Sequence, residues 1–300
     1  MSMNLILFGA GASHGSASHF VPPMGANLFL ELKRFNPLGW GALPPDVAID
    51  FKLDFERGMS KLATYRSHDM PILQRAMAAY FFNFLPTSDS LYIQLANRIK
   101  RSNWSGAIAT LNYERLLEIS LLHVGIKPVT GSKQLSGQIE LCMPHGCCHL
   151  FSEGVLASPT GVSFSGVGVT FDGTVIAISD PIQFNARINN NSVPPVMSYF
   201  EPEKTTSSGI SFIRSQRARW LSLVGEAETI VIVGVRVRPS DSHIWNAIAK
   251  ANAKVVYCSG PTAASEYDEW SSRERLGKLN KMLNGFFAKE FNEICNEVGL

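Results

Sequence analysis

An α/β fold, a parallel sheet with helices on both faces, is what this sequence of 300 residues predicts. Three observations carry the prediction. Short apolar runs recur at Asn4–Phe8, Ala107–Leu111, Thr229–Val233 and Lys254–Tyr257. Stretches with apolar residues at helical spacing lie between them. Glycine and polar residues gather just beyond the run ends, as at Gly9, Asn112 and Gly234. A strand covered on both faces needs a continuous apolar run, and strands alternating with helices assemble into a parallel sheet.

Asn4–Phe8 is the first strand. Asn27–Phe35, Asp50–Tyr65, Pro71–Phe84 and Ser90–Arg101 then carry helical spacing, broken by Pro37, Pro44-Pro45, Pro71 and Pro86. The expectation is a mostly helical insertion over 27–103, after the first strand. Ala107–Leu111 is the second strand, followed by a helix over Glu114–Val124 with Leu116, Leu117, Leu121 and Val124 on one side. Gln138–Met143 reads as a third strand, ending at Pro144-His145-Gly146. Residues 151–209 are rich in Gly, Ser, Asn and Pro. One hairpin signal stands out there: Val169–Phe171, the Asp172-Gly173 turn and Thr174–Ile178. This reads as a loop/hairpin insertion.

A helix over Phe212–Glu226 leads to the strand Thr229–Val233, a helix over Ser242–Ala251 to the strand Lys254–Tyr257, and a helical segment over Leu276–Val298 closes the chain. The expected core is therefore 1–26, 104–150 and 210–300. No internal repeat is found.

At 45% hydrophobic and 17% charged residues, the chain has ample material for a core. A formal charge of +2 gives no strong signal for nucleic acid or a membrane surface. The runs Arg98-Ile99-Lys100-Arg101 and Arg214–Arg219 read as solvated helix faces. The N-terminus lacks a basic n-region and a long apolar stretch, so neither signal peptide nor membrane span is expected. Five cysteines, Cys142, Cys147, Cys148, Cys258 and Cys295, do not look like a secreted disulfide framework. A cytoplasmic location is expected.

Gly9 and Gly11 fall at a strand end, where open parallel sheets bind ligands. Glycine amides there can approach a phosphate closely, and a following helix adds partial positive charge. The dinucleotide fingerprint also wants a glycine where His14 stands, and an acidic residue closing a second strand about 20 residues on. Glu31 is near that distance but within a helix-like run. A tight structural turn explains the glycines about as well.

The other strand ends bear on the choice. Gly9-Ala10-Gly11-Ala12-Ser13, Thr110-Leu111-Asn112-Tyr113-Glu114, Pro144-His145-Gly146, and an apolar strand running into Gly234 with Asp241 nearby occur in this order. Together they resemble the SIR2-like (sirtuin-related) family, through motifs between residues 5 and 258. The resemblance is nearer to the bacterial SIR2-like NAD hydrolases of antiviral defence than to the zinc-containing deacetylases. The two Cys-x-x-Cys pairs of the deacetylases are missing, as is their Gly-Ile-Pro-x-Phe-Arg segment, which Val21–Leu28 replaces. Val235-Arg236 replaces their serine-containing turn.

The resemblance implies a Rossmann-like core and attack at the nicotinamide-bearing ribose carbon of NAD⁺. It implies Asn112 and His145 as catalytic residues. It implies Gly9, Ala10, Gly11, Ala12, Ser13, Thr110, Glu114, Gly234, Arg236 and Asp241 as cofactor-binding residues. An assembly of several copies, or a partner protein of a defence system, is implied as well.

The chemistry suits these residues. Nicotinamide leaves as a neutral base from a pyridinium, so no general acid is needed, and the transition state resembles an oxocarbenium ion. Asn112 can donate and accept hydrogen bonds without adding charge. His145 can accept a proton near neutral pH. Ser13 reads as a phosphate or ribose ligand or as a helix cap, and Asp241 as a ribose ligand or the cap of the helix starting at Ser242.

Cys142–His149 packs three thiols and two imidazoles into eight residues, a rival zinc site. Structural zinc sites bring two separated ligand pairs together and no second pair exists, so no zinc is expected. NAD-dependent protein deacylation and a noncatalytic NAD or ADP-ribose sensor are the alternative functions.

Overall fold

The structure, a computed structural model, describes residues 3–131, 135–154, 171–191, 193–198 and 208–300. In chain order its elements begin with β1 (Met3–Phe8), α1 (Ala10–His14), α2 (Gly25–Phe35), α3 (Pro45–Leu53), α4 (Phe55–Tyr65), α5 (Met70–Phe82) and α6 (Leu91–Ser102). β2 (Ala107–Thr110), α7 (Leu116–His123), β3 (Lys127–Val129), β4 (Gln138–Cys142), β5 (Leu150–Ser152), β6 (Val175–Ala177) and α8 (Pro181–Asn190) follow. The last are α9 (Ile210–Glu226), β7 (Ala227–Val233), α10 (Ser242–Lys250), β8 (Lys254–Cys258), α11 (Pro261–Glu274), β9 (Asn280–Leu283) and α12 (Phe287–Glu297). The chain divides into two compact units, Met1–Val21 with Leu85–Pro144 and Ser215–Leu300, and Pro22–Phe84 with His145–Arg214.

The first unit holds a seven-stranded sheet in the order β3-β4-β2-β1-β7-β8-β9, every pair parallel. Without the edge strand β3 this is the doubly wound Rossmann-like order, and the direction of winding reverses between β1 and β7. Leu5, Ile6, Leu7 and Phe8 of β1 are wholly buried, as a central strand requires. Alternation then divides the core. Leu5 and Leu7 join Trp220, Leu223, Trp245, Ile248 and Tyr257. Phe8 packs with Tyr92 of α6 and Phe287 of α12, ring centroids 5.3 and 5.7 Å away.

Two glycine turns lock the centre of this sheet. Gly9 N–H donates to Val233 O at 2.9 Å, and Gly11 N–H to Gly234 O at 3.0 Å. A Cβ on Gly9 would lie 2.7 Å from Gly234 O, and one on Gly234, at φ +66°, would lie 2.1 Å from Ala12 N. What comes so close to the first glycines is the turn after β7. At the other end of the fold, buried Arg275 donates to Ile248 O, to Ala251 O at 3.1 Å and to Ala253 O at 2.8 Å. It thereby ties the last turn of α10 to the carbonyls of the residues that lead into β8.

The second unit contains most of the segment read as a helical insertion and all of the segment read as a loop/hairpin insertion. Trp40 packs with Phe29, Phe51 and Phe55, and its Nε1 donates to Leu73 O at 3.0 Å. Phe82 of α5 stacks on Phe184 of α8 at 3.7 Å, and Gln74 Nε2 donates to Met197 O at 2.6 Å. The residues 22–84 and 145–214 thus share one core.

The second unit spans 22–84 and 145–214, where the sequence reading draws its insertions at 27–103 and 151–209, and α6 falls in the unit that holds the sheet. Its buried stripe of Tyr92, Leu95, Ala96 and Ile99 includes the ring packed on Phe8. Several expectations about elements need correction. Asp50–Tyr65 is two helices, split at Asp54, whose carboxylate accepts from Glu56 and Arg57 N–H.

The Asp172-Gly173 hairpin expected over 169–178 lies partly outside the described residues. β6 pairs antiparallel with β5, and Phe171 bridges Ser208. Val169 and Thr170 lie outside the described residues. The segment read as loop also contains α8, started by Pro181 and capped by Asp180. Leu276–Val298 is β9 followed by α12 rather than one helical segment.

The Gly234 contact gives a direct test. Gly234→Ala is expected to lower the unfolding free energy by about 3–5 kcal/mol, because backbone must move as well as adopt a left-handed conformation. Gly277 shares that conformation at φ +76°, but nothing lies within 4 Å of its built Cβ. Gly277→Ala should cost only about 1–2 kcal/mol. Urea unfolding of both variants measures the difference.

Candidate functional site

The turns after β1, β2 and β7 meet where the winding reverses, at the carboxyl ends of the central strands. The β1 turn passes into α1, a helix of only five residues, with Ser13 buried inside it. Ser13 is therefore neither a cap nor an exposed ligand. Its Oγ donates to Glu114 Oε1 at 2.5 Å, lies 2.9 Å from Tyr92 Oη, and accepts from Asn112 Nδ2 at 2.8 Å. A hydroxyl has one proton and two lone pairs. With the proton on Glu114, Tyr92 must be the donor, and Ser13 is saturated.

Asn112 follows β2, and its backbone N–H donates to Thr110 Oγ1 at 3.1 Å. The second Nδ2 hydrogen goes to Gly9 O at 3.1 Å. Because Gly9 O can only accept, the orientation of the amide is fixed: nitrogen toward the β1 turn, oxygen away from it. Both donors are spent inside the protein, and Oδ1 has no donor among the described residues. The side chain expected to donate and accept is left as an acceptor.

Glu114 is buried beneath this arrangement, its second oxygen accepting from Leu116 N–H at 2.5 Å. Burial, with the Glu114 carboxylate nearby, holds the Tyr92 phenol well above its ordinary 10.0, outweighing the opposite effect of the Ser13 bond. Tyr92 remains a protonated donor.

The glycine amides are engaged within the fold. Those of Gly9 and Gly11 are donated to the β7 turn, and that of Ala12 to Gly9 O at 2.9 Å. Of the four from Gly9 to Ala12, only that of Ala10 has no acceptor among the described residues.

Around the β7 turn, Arg236 is paired with Glu266, its Nε 2.6 Å from the carboxylate. Asp241 stands at the N-cap of α10 but makes no side-chain cap bond. It is buried, and with Tyr113 it partly offsets the desolvation that lowers the pKa of Arg217. His145 belongs to the second unit, where its carbonyl accepts from Ser198 N–H at 2.9 Å. Gly146 is required there: at φ +75° its built Cβ would lie 2.0 Å from Val196 O.

The structure therefore joins Gly9, Gly11, Ser13, Thr110, Asn112, Glu114 and Gly234 in one hydrogen-bonded cluster. Tyr92 is the member that the sequence reading missed. A tyrosine on the core stripe of an amphipathic helix needs a partner for its hydroxyl, and that requirement was the available signal.

The folded state keeps the Tyr92 proton to higher pH than the unfolded chain does. Stability from this group is complete below about pH 10 and is lost as pH rises toward the folded value. Tyr92→Phe is expected to cost about 0.5–1.5 kcal/mol at neutral pH. It should also make the alkaline loss of stability shallower, as urea unfolding at about pH 8 and about pH 10.5 would measure.

No protein-family model matches the chain. No curated protein matches it either. Among solved structures it is similar to two Sir2 homologue mutants in complex with ADP-ribose, at 14% and 15% identity and TM-scores of 0.47 and 0.46. Each comparison covers 99% of this chain and 92% of the other. It is also similar to a Sir2 in complex with an inhibitor, 2′-O-acetyl-ADP-ribose and a deacetylated peptide, at 14% identity and a TM-score of 0.47. That comparison covers 99% of this chain and 94% of the other.

Proposed function

We propose that the protein is an NAD⁺ glycohydrolase, cleaving NAD⁺ to nicotinamide and ADP-ribose. The observation that carries the proposal is the fixed amide of Asn112 at the reversal of the sheet. Its Oδ1 is an acceptor held ready for a donor, and a ribose hydroxyl or the attacking water supplies one. The saturated Ser13, the buried Glu114 and Tyr92 keep that oxygen in place, so little reorganisation accompanies the reaction.

Charge favours the same chemistry. The pyridinium of NAD⁺ and the oxocarbenium-like transition state are cationic at the ribose. Glu114 places a carboxyl group under the network, where it accepts from Ser13 and from Leu116 N–H. His145, which follows β4 in the chain by three residues, is proposed as the base that takes a proton from the water or ribose hydroxyl. A pyrophosphate would draw on the Ala10 amide and not on those of Gly9 and Gly11. Thr110 positions Asn112, while Gly234 shapes the turn; Arg236 would have to exchange Glu266 for a phosphate.

The wider reading follows from the bacterial branch that the motifs resemble. The protein is proposed to deplete NAD⁺ in antiviral defence, in the cytoplasm, as an assembly or with a partner.

Incubation of the purified protein with NAD⁺, following nicotinamide and ADP-ribose by chromatography, tests the proposal. Wild-type turnover is expected, with losses of about 10²–10⁴-fold in His145→Ala and a comparable loss in Asn112→Ala. Turnover surviving both substitutions would refute the site. Binding of NAD⁺ without turnover, under conditions where the protein is assembled, would favour the sensor alternative.

A further inference from the structure

Of the run Cys142–His149, the proposed reaction uses His145 and leaves the three cysteines and His149 unused. Cys142 is not part of one cluster with the others, since its Sγ donates to Gln216 O at 3.3 Å in the first unit. Cys147, Cys148 and His149 lie in the second unit, with relative exposures of 2%, 0% and 1%. Their ligand atoms all lie within 4.8 Å of one another, and Cys147 Sγ is 3.2 Å from His149 Nδ1.

The backbone explains how neighbouring residues converge. Leu150 N–H donates to Cys147 O at 3.2 Å, closing a turn with Cys148 and His149 at its centre. The turn is pinned from outside at three points. Cys147 N–H donates to Val196 O at 3.0 Å, Val196 N–H to Leu150 O at 2.7 Å, and Ile178 N–H to His149 O at 2.9 Å. The donors are thus held together by the fold before any ligand arrives, which lowers the ordering cost of binding.

We propose that Cys147, Cys148 and His149 bind a divalent, thiophilic metal ion of the zinc class. Two sulfurs and one imidazole nitrogen are the donors such an ion prefers, whereas magnesium and calcium require oxygen. Charge selects further. Two thiolates, a neutral imidazole and a dication sum to zero, so the buried site carries no net charge. A monovalent ion such as Cu⁺ would leave one negative charge buried. Binding forms two metal–sulfur bonds and one metal–nitrogen bond and breaks two S–H bonds. Both protons go to solvent and nothing is oxidised or reduced. Three protein donors leave one position of a tetrahedron for a ligand from outside the triad. Spacing alone predicted no zinc because it sought two separated pairs; here one folded turn supplies three donors.

Zinc measured in the full-length protein, purified without chelator, tests the site. About one equivalent per chain is expected in the wild type, falling at least tenfold in a Cys147→Ser/Cys148→Ser variant that retains its far-UV circular dichroism. Equal zinc in both proteins, or none in the wild type together with no thiolate-to-cobalt absorption on adding Co²⁺, would overturn the proposal. Where the double variant does not fold, the wild type is titrated with a thiol-reactive mercurial. Zinc released in step with the modification of two thiols supports the site, and release that is independent of thiol loss overturns it.

Discussion

The backbone of Gly9 is the constraint on which the first unit depends. Its N–H bonds the end of β7, and its carbonyl receives Ala12 N–H and Asn112 Nδ2. Three strand-end turns are therefore tied through one residue. Any side chain on Gly9 would push the β7 turn away, and with it the reference against which Asn112 is oriented. Glycine is needed here for backbone to meet backbone. The site residues are arranged by a consequence of that packing, not by separate local devices.

From this anchor a chain of hydrogen bonds runs Tyr92 to Ser13 to Glu114, with Asn112 feeding into the same hydroxyl. Each donor assignment is forced by the next. A chain with a single allowed direction polarises its members in series, and such networks are worth more intact than their separate bonds suggest. The aromatic packing of Tyr92 against Phe8 and Phe287 couples the network to the core, so its rigidity comes from apolar burial as well as hydrogen bonding.

The strands of the sheet centre were legible because complete burial demands apolar runs, and LILF, AIA and IVIV announce it. The edge was not. β3 has only three residues, and β9 has one buried residue, Leu283, so neither writes a burial pattern. α11 was unread for a similar reason: among its 14 residues only Tyr267 and Ser271 are buried. At the site, motif order brought Ser13, Asn112 and Glu114 into view, but not the direction of their bonds. Whether an amide is free or spent depends on partners about a hundred positions away, such as Gly9 for Asn112. That is why Gly9 and Gly11 read as phosphate donors and prove to be fastened to β7.

The strand order also governs when the protein can fold during its synthesis. Leu5 pairs with Ala107 on one side and with Ile230 on the other. The central strand is thus made well before its second neighbour. At translation rates of about 5–20 residues per second, the 225-residue separation between Leu5 and Ile230 corresponds to about 11–45 s. Throughout that interval an apolar strand edge awaits its partner, a state prone to wrong pairing. Shielding of the nascent β1 edge by a chaperone over that interval would thus bear on yield.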